Sequence, residues 1–236
     1  MHILHELIAN IKAPRFNIEQ STFGIQAVKN FAVIFVVTYS IKTFWLLTVN
    51  QWIRNSFQVD RSEIAQPGVN LLAFFLLVVF VYPVLEEFIF RYFLRGKLWI
   101  TLLILSLALS VALVEITKQV PFPGLVAKRI ALVLSFFTPL LSGLFLYVKI
   151  RIGPEKWFTK LFPLVFYFSI ASFALLHSLN FKISGNTIWL LPMLMPFVIS
   201  GAALGFVRMK WGLWASVILH MSFNLVTFIL DKGFSL

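Results

Sequence analysis

Apolar residues in this chain come in long runs, unlike the short alternating or amphipathic groups of a soluble fold. Seven windows of mostly apolar residues stand out, at roughly 28–49, 69–94, 97–117, 126–149, 162–181, 188–208 and 211–230. A span needs about 20 such residues at 1.5 Å rise each, and each window meets that length. A spanning segment must satisfy its own backbone, so it is either a helix or a strand of a closed barrel, and the two-residue alternation of a barrel is missing. The pattern predicts an all-α fold, a polytopic transmembrane helical bundle of about seven spans. No internal repeat or low-complexity linker divides it, so residues 1–236 read as a single membrane domain.

The first residues follow a different pattern. Ile3, Leu4, Leu7, Ile8 and Ile11 recur at helical spacing with Glu6, Asn10 and Lys12 between them. This predicts a short N-terminal amphipathic helix lying on the membrane surface, within an interfacial segment 1–26; a disordered tail is the alternative. Acidic and polar residues interrupt the segment, which does not read as a cleavable signal peptide. In the sixth window, Gly201 and Gly205 permit close helix contact and Pro192 and Pro196 permit a kink.

Composition sharpens the class. Hydrophobic residues make up 60% of the chain and charged residues 12%, with a mean hydropathy of +0.91, whereas soluble domains carry about a quarter charged residues. The net charge of +11 raises the question of nucleic acid, but the basic residues are scattered over short loops and form no stripe. They read as a topology signal. With the N-terminus inside, the cytoplasmic side carries Lys12, Arg15, Lys29, Arg95, Lys97, Lys149, Arg151, Lys156, Lys160, Arg208 and Lys210, against Arg54, Arg61, Lys118, Lys128, Arg129, Lys182 and Lys232 outside. The chain has no cysteine, which excludes disulfide and thiol chemistry.

Ionisable groups at bilayer depth cost free energy, so they point to function. The second window contains Tyr82-Pro83-Val84-Leu85-Glu86-Glu87-Phe88-Ile89-Phe90-Arg91. Glu87 and Arg91 are i,i+4 and share a face, so they are expected to pair. Glu86 points about 100° away and lacks a partner within its helix. A cluster snorkelling to the headgroups is the structural alternative. Phe173 and His177 in the fifth window are also i,i+4, as are His220 and Asn224 in the seventh. A lone membrane histidine or asparagine is more often a helix–helix hydrogen bond than a catalyst. Together, however, a glutamate, two histidines and an amide are what water activation and oxyanion stabilisation require.

Glu86-Glu87-x-x-x-Arg91, Phe173-x-x-x-His177 and His220-x-x-x-Asn224, in that order and on separate apolar windows, resemble the three motifs of the CAAX protease and bacteriocin-processing (CPBP, or Abi) family, which includes the type II CAAX prenyl endopeptidases. The resemblance covers about 69–230. It implies an intramembrane glutamic endopeptidase, metal-independent and without a cofactor, acting on a membrane-embedded or lipidated protein or peptide. By that analogy Glu86 and His177 activate the hydrolytic water, His220 and Asn224 hold the oxyanion, and Glu87, Arg91 and Phe173 support them. This chain departs from the family pattern in placing two further windows, 97–117 and 126–149, between the first and second motifs. An even number of inserted spans keeps the motif helices antiparallel. It also leaves Glu86 toward the cytoplasmic half of its helix and His177 toward the opposite half, an axial offset that tilt or a longer span must remove.

Other protease chemistries fail on inventory. His5-Glu6 lacks the second histidine of H-E-x-x-H, the two aspartates Asp60 and Asp231 are not mid-span, and no G-x-S-x-G turn occurs. Zinc held by the two histidines and two glutamates is the competing chemistry. A non-catalytic binding, immunity or scaffold role within the same family is the competing function. Glu115 and Lys118 read as a structural i,i+3 pair, and Lys42 as a cation snorkelling to an interface. The small chain suits a bacterial inner membrane.

Overall fold

The computed structural model describes residues 2–15, 24–57, 59–61, 70–95, 100–120, 124–152, 155–183 and 187–233. Residues 16–23 of the N-terminal segment, residue 69 of the second window, 97–99 of the third and 184–186, with Lys97 among the topology cations, lie outside them. The described chain is almost wholly helical. Five segments are long and apolar enough to cross a membrane: Ile25–Phe57, Leu71–Arg95, Ala127–Val148, Thr159–Asn180 and Leu213–Leu230. Their outer faces are apolar as well, with Phe44 67%, Leu141 58% and Ile229 56% exposed, a surface that suits hydrocarbon and not water.

Helix α1 (His2–Lys12) docks on the bundle. Its Ile3 and Leu7 join the main core, Glu6 pairs with Lys210, and the Tyr167 hydroxyl lies 2.7 Å from Ile11 O and 3.2 Å from Lys12 O at its C-terminal end. The apolar stripe expected to lie on the membrane is thus turned partly onto protein. An i,i+4 stripe specifies an apolar neighbour without specifying which one.

Helix α2 (Ile25–Trp45) runs through a π turn (Leu46–Asn50) into α3 (Gln51–Phe57). Helix α4 (Leu71–Leu76) is capped by the Asn70 side chain, which accepts from Leu72 N at 2.9 Å, and passes through a second π turn (Leu77–Val81) into α5 (Tyr82–Arg91). A 3₁₀ turn, Tyr92–Arg95, closes that segment. The inserted windows form an antiparallel hairpin, α6 (Ile100–Gln119) and α7 (Leu125–Ile152), with α6 lying against α8 (Glu155–Leu176). After α8 comes the 3₁₀ turn His177–Asn180. A two-stranded antiparallel pair then joins β1 (Val59–Arg61) to β2 (Phe181–Ile183), with Asp60 opposite Lys182. The 3₁₀ turn Thr187–Trp189 leads into the last helices, α9 (Leu190–Met193), α10 (Met195–Trp211) and α11 (Leu213–Gly233).

The sixth window is therefore broken, as its prolines predict. Pro196 has no N–H for Pro192 O, and the Trp45 indole donates to that carbonyl instead, at 2.8 Å. Phe197 N turns to Leu194 O, and the Asn50 amide takes up Met193 O at 3.2 Å. Helix α10, of 17 residues, is buried without a break from Ser200 to Met209 and forms the axis of the bundle. Gly201, Ala202, Ala203 and Gly205 make this possible, because small residues let α2, α8 and α11 approach it from several sides. Gly212, at φ 100°, occupies the left-handed region and forms the one-residue link between α10 and α11.

The tightest of these contacts is testable. A Cβ at Gly205 would lie 2.8 Å from Cε2 of the fully buried Phe166, whereas one at Gly201 would meet Phe173 at 3.3 Å. Helix propensity alone favours alanine by up to about 1 kcal/mol. Gly205→Ala is nevertheless expected to destabilise the detergent-solubilised protein by about 1–3 kcal/mol, through overpacking. Gly201→Ala should be milder. Thermal unfolding of the two variants checks the order, and an unchanged Gly205→Ala midpoint would contradict this packing of α8 on α10.

Candidate functional site

Pro83 lies in the first turn of α5, which follows the π turn without a break in the helical backbone. From there the helical period turns Glu87 and Arg91 inward, both with fully buried side chains, and leaves Glu86 about 29% exposed. The expected Glu87–Arg91 ion pair forms. Glu87 is also the hub of a wider network. The Ser216 hydroxyl sits between Glu87 Oε2 and Leu204 O with one proton to share, and His220 Nδ1 lies 2.9 Å from Glu87 Oε1. A carboxylate accepts, so Nδ1 is the donor in that contact.

The other nitrogen of the same ring, His220 Nε2, lies 3.5 Å from Glu86 Oε2. His220 therefore bridges the two adjacent glutamates. Their situations differ sharply. Glu87 is held by Arg91, Ser216 and His220, whereas Glu86 Oε2 is buried and has no hydrogen-bond partner.

Arg91 extends from this hub toward α8. Its guanidinium lies 4.3 Å from the centre of the Phe173 ring, a cation–π contact that serves a charge whose Nε and Nη2 have no hydrogen-bond acceptor. Gly201 leaves room for this stack, since a Cβ there would meet both Phe173 and Arg91 Nη2. Phe173 also stands edge-on to His220 at 5.6 Å and 4.5 Å from the His177 ring. His177 is held between Phe173 and Phe197, the latter stacked at 4.2 Å. His177 Nδ1 lies 2.7 Å from Phe173 O. A carbonyl only accepts, so Nδ1 carries the proton and Nε2 keeps its lone pair in the neutral ring. His177 makes no direct hydrogen bond to Glu86, though it lies within electrostatic reach of that carboxylate.

The axial offset expected between the first two motifs does not arise. At one end of the bundle, Arg95 donates to Met209 O at 2.6 Å, Lys210 pairs with Glu6, and Tyr167 reaches the end of α1. From this floor Glu86 is nine residues back from Arg95, His220 eight beyond Gly212 and His177 ten beyond Tyr167. At helical rise these are similar heights, about 12–15 Å. The offset vanishes because α8 starts at Glu155, well before the level of Tyr167, so the second-motif helix overhangs the floor.

Asn224 completes the set one turn further along α11. Its Nδ2 donates to Val78 O, in the π turn before α5, at 2.9 Å. The structure thus brings Glu86, Glu87, Arg91, Phe173, His177 and His220 into one connected cluster, and attaches Asn224 to the helical segment that carries the first motif. Three further participants were not read from the sequence as part of it. Ser216 lies four residues before His220, a spacing that could have revealed it. Ser169 donates to Phe90 O, and buried Arg208 donates to Arg91 O and Tyr92 O, both at 3.1 Å, so the last carbonyls of the first-motif helix are capped from neighbouring helices. Lys42 does not snorkel. It is buried, with Nζ 5.7 Å from the ring centres of both Tyr39 and Phe223. Glu115 and Lys118 do form the expected exposed pair, at 2.6 Å. Among the described residues, no group of three His, Asp or Glu side chains stands in ligating arrangement for a metal.

Comparison with known proteins gives one finding. The family model described as type II CAAX prenyl endopeptidase Rce1-like matches residues 68–226, two-thirds of the chain and all three motifs. No curated protein and no solved structure matches the chain.

The hub makes a direct prediction for stability. Glu87→Gln leaves the Arg91 charge buried without a counter-charge and is expected to cost about 3–5 kcal/mol, seen as lower expression or a lower unfolding midpoint. Ser216→Ala, which removes one neutral donor, should cost about 1 kcal/mol. A Glu87→Gln protein as stable as Ser216→Ala would contradict the hub.

Proposed function

The chain belongs to the type II CAAX prenyl endopeptidase Rce1-like family, and we propose that it is an intramembrane endopeptidase of glutamic type, hydrolysing a peptide bond in a membrane-embedded or lipidated protein or peptide. The observation that carries this reading is the unequal pair of glutamates. Glu87 is saturated by Arg91, Ser216 and His220, while Glu86 keeps a buried carboxylate oxygen without a hydrogen bond, 3.5 Å from His220 Nε2. A base with an unspent lone pair in a water-poor site is what general-base hydrolysis needs.

In this mechanism a water bound between Glu86 and His177 gives one proton to Glu86 as its oxygen attacks the scissile carbonyl carbon. The lone pair on His177 Nε2 accepts the water's other hydrogen and orients the attack. The carbonyl oxygen becomes an oxyanion, and two donors serve it: His220 Nε2–H and the second Nδ2 proton of Asn224, the first being engaged by Val78 O. The His220 role requires both ring nitrogens to carry protons, with Glu86 and Glu87 as counter-charges. Collapse of the tetrahedral intermediate breaks the C–N bond, and Glu86 returns its proton to the departing amine. Glu87, Arg91 and Phe173 hold the donors and the base in place. The reaction consumes one water and needs neither metal nor cofactor. Its setting is the lipid bilayer, and the multi-pass chain fits a bacterial inner membrane.

A second reading is a non-catalytic binding, immunity or scaffold protein. It is favoured by how much of the cluster serves helix contacts, Asn224 on Val78 O and Glu87 on three partners.

Comparing the proteomes of membranes that contain wild-type or Glu86→Gln protein separates the two readings. A cleavage product present with wild type and missing with a normally folded Glu86→Gln is expected; identical cleavage patterns would favour the scaffold. With that substrate in hand, Asn224→Ala should lose about 10²–10³ in rate, the usual loss for one oxyanion donor. Purified protein should keep its activity under a strong chelator. Activity lost to the chelator and restored by stoichiometric zinc would overturn the glutamic mechanism in favour of metal-bound water.

A further inference from the structure

A proline in a helix withholds one backbone donor, and at Pro83 the acceptor left waiting can be identified. The preceding turn, Leu77–Val81, is a π turn in which Tyr82 N–H donates to Leu77 O, five residues back. Continued by one residue, that pattern would pair the N–H of position 83 with Val78 O. Pro83 has no N–H. A bare carbonyl in an apolar interior is costly, and the donor it receives is Asn224 Nδ2 at 2.9 Å.

We propose that Pro83 is a positioning residue of the site: by leaving Val78 O without its helical donor, it creates the acceptor that fixes the Asn224 amide. A carboxamide is planar and its nitrogen carries two protons. Once one proton is committed to Val78 O, the direction of the other is set. The same joint also fixes the phase of α11 against α5. His220 lies one turn before Asn224, and Glu86 lies three residues after Pro83, so the joint helps to set the 3.5 Å approach of His220 to Glu86. The fold repeats the device at Pro196, whose orphaned Pro192 O is served by Trp45. An indole has a single N–H, however, and keeps none for a substrate. At Pro83 the borrowed donor retains a proton.

The joint itself is independent of the peptidase reading; its catalytic consequence rests on that reading. Thermal unfolding of the detergent-solubilised protein in a cycle of Pro83→Ala, Asn224→Ala and the double variant tests the joint without any substrate. Asn224→Ala should lower the midpoint by about 2–4 °C, the shift expected for one hydrogen bond in a domain of this size. In the Pro83→Ala background, where position 83 regains an N–H, the loss should shrink to less than half. Equal losses in both backgrounds overturn the proposal. Should Pro83→Ala fail to fold, Asn224→Asp replaces it. That change turns carboxylate oxygens toward Val78 O and should unfold earlier than Asn224→Ala, whereas wild-type stability would overturn the joint. With the substrate found through Glu86→Gln, Pro83→Ala should lower kcat about tenfold with KM changed by less than about twofold, the mark of misplacement and not of lost binding. Full kcat in Pro83→Ala overturns the positioning role. A wild-type protein that cleaves nothing removes the peptidase reading instead, and the midpoint cycle still decides the joint.

Discussion

Backbone carbonyls without a helical partner are the constraint on which the rest of this structure depends. In the hydrocarbon region no water can take the place of a missing donor. At several helix ends, kinks and prolines a neighbouring side chain supplies one. Val78 O receives Asn224, Phe90 O receives Ser169, Arg91 O and Tyr92 O receive Arg208, Met209 O receives Arg95, and Pro192 O and Met193 O receive Trp45 and Asn50. These bonds join different helices, so satisfying the backbone also assembles the bundle. They explain why polar residues that look like candidate catalysts are in part structural.

Charge follows the same logic. Arg91 and Glu87 enter the interior only together, and even then Ser216, His220 and the face of Phe173 are needed to complete their contacts. The hub's contacts converge on Glu87, and Glu86 Oε2 is left without a hydrogen bond. The asymmetry between two adjacent identical residues thus has a physical origin. One faces inward and is neutralised; the other, 100° around the helix, faces a half-open space and keeps its basic oxygen. Under the proposed peptidase reading that leftover oxygen is the base, since general-base hydrolysis needs an oxygen that the fold has not already used.

Depth is controlled by α8 and α10. Glycine and alanine on α10 let Phe166 and Phe173 of α8 close upon it, and the overhang of α8 past Tyr167 raises His177 to the level of Glu86 and His220. The inserted hairpin of α6 and α7 packs against this arrangement through α6, and an antiparallel hairpin returns the chain to the end from which it left. The first and second motifs can therefore be far apart in sequence and adjacent in space.

Much of this was legible in the residues. Apolar runs determined the helical class, because nothing but a helix or closed barrel satisfies its own backbone in lipid. Periodicity placed Glu87 with Arg91 and Phe173 with His177, since i,i+4 neighbours share a face whatever surrounds them, and the order of three motifs was enough to suggest the family. The partners of those faces were not legible. That His220 bridges both glutamates, that Asn224 binds Val78 O, that Lys42 lies beneath Tyr39 and Phe223, and that α1 turns Ile3 and Leu7 into the bundle were decided by the tertiary structure. A helix carries its own rotational pattern in its sequence. Its height, tilt and phase against another helix are set by ridge packing, small residues and orphaned carbonyls along the whole contact, and no local spacing encodes them.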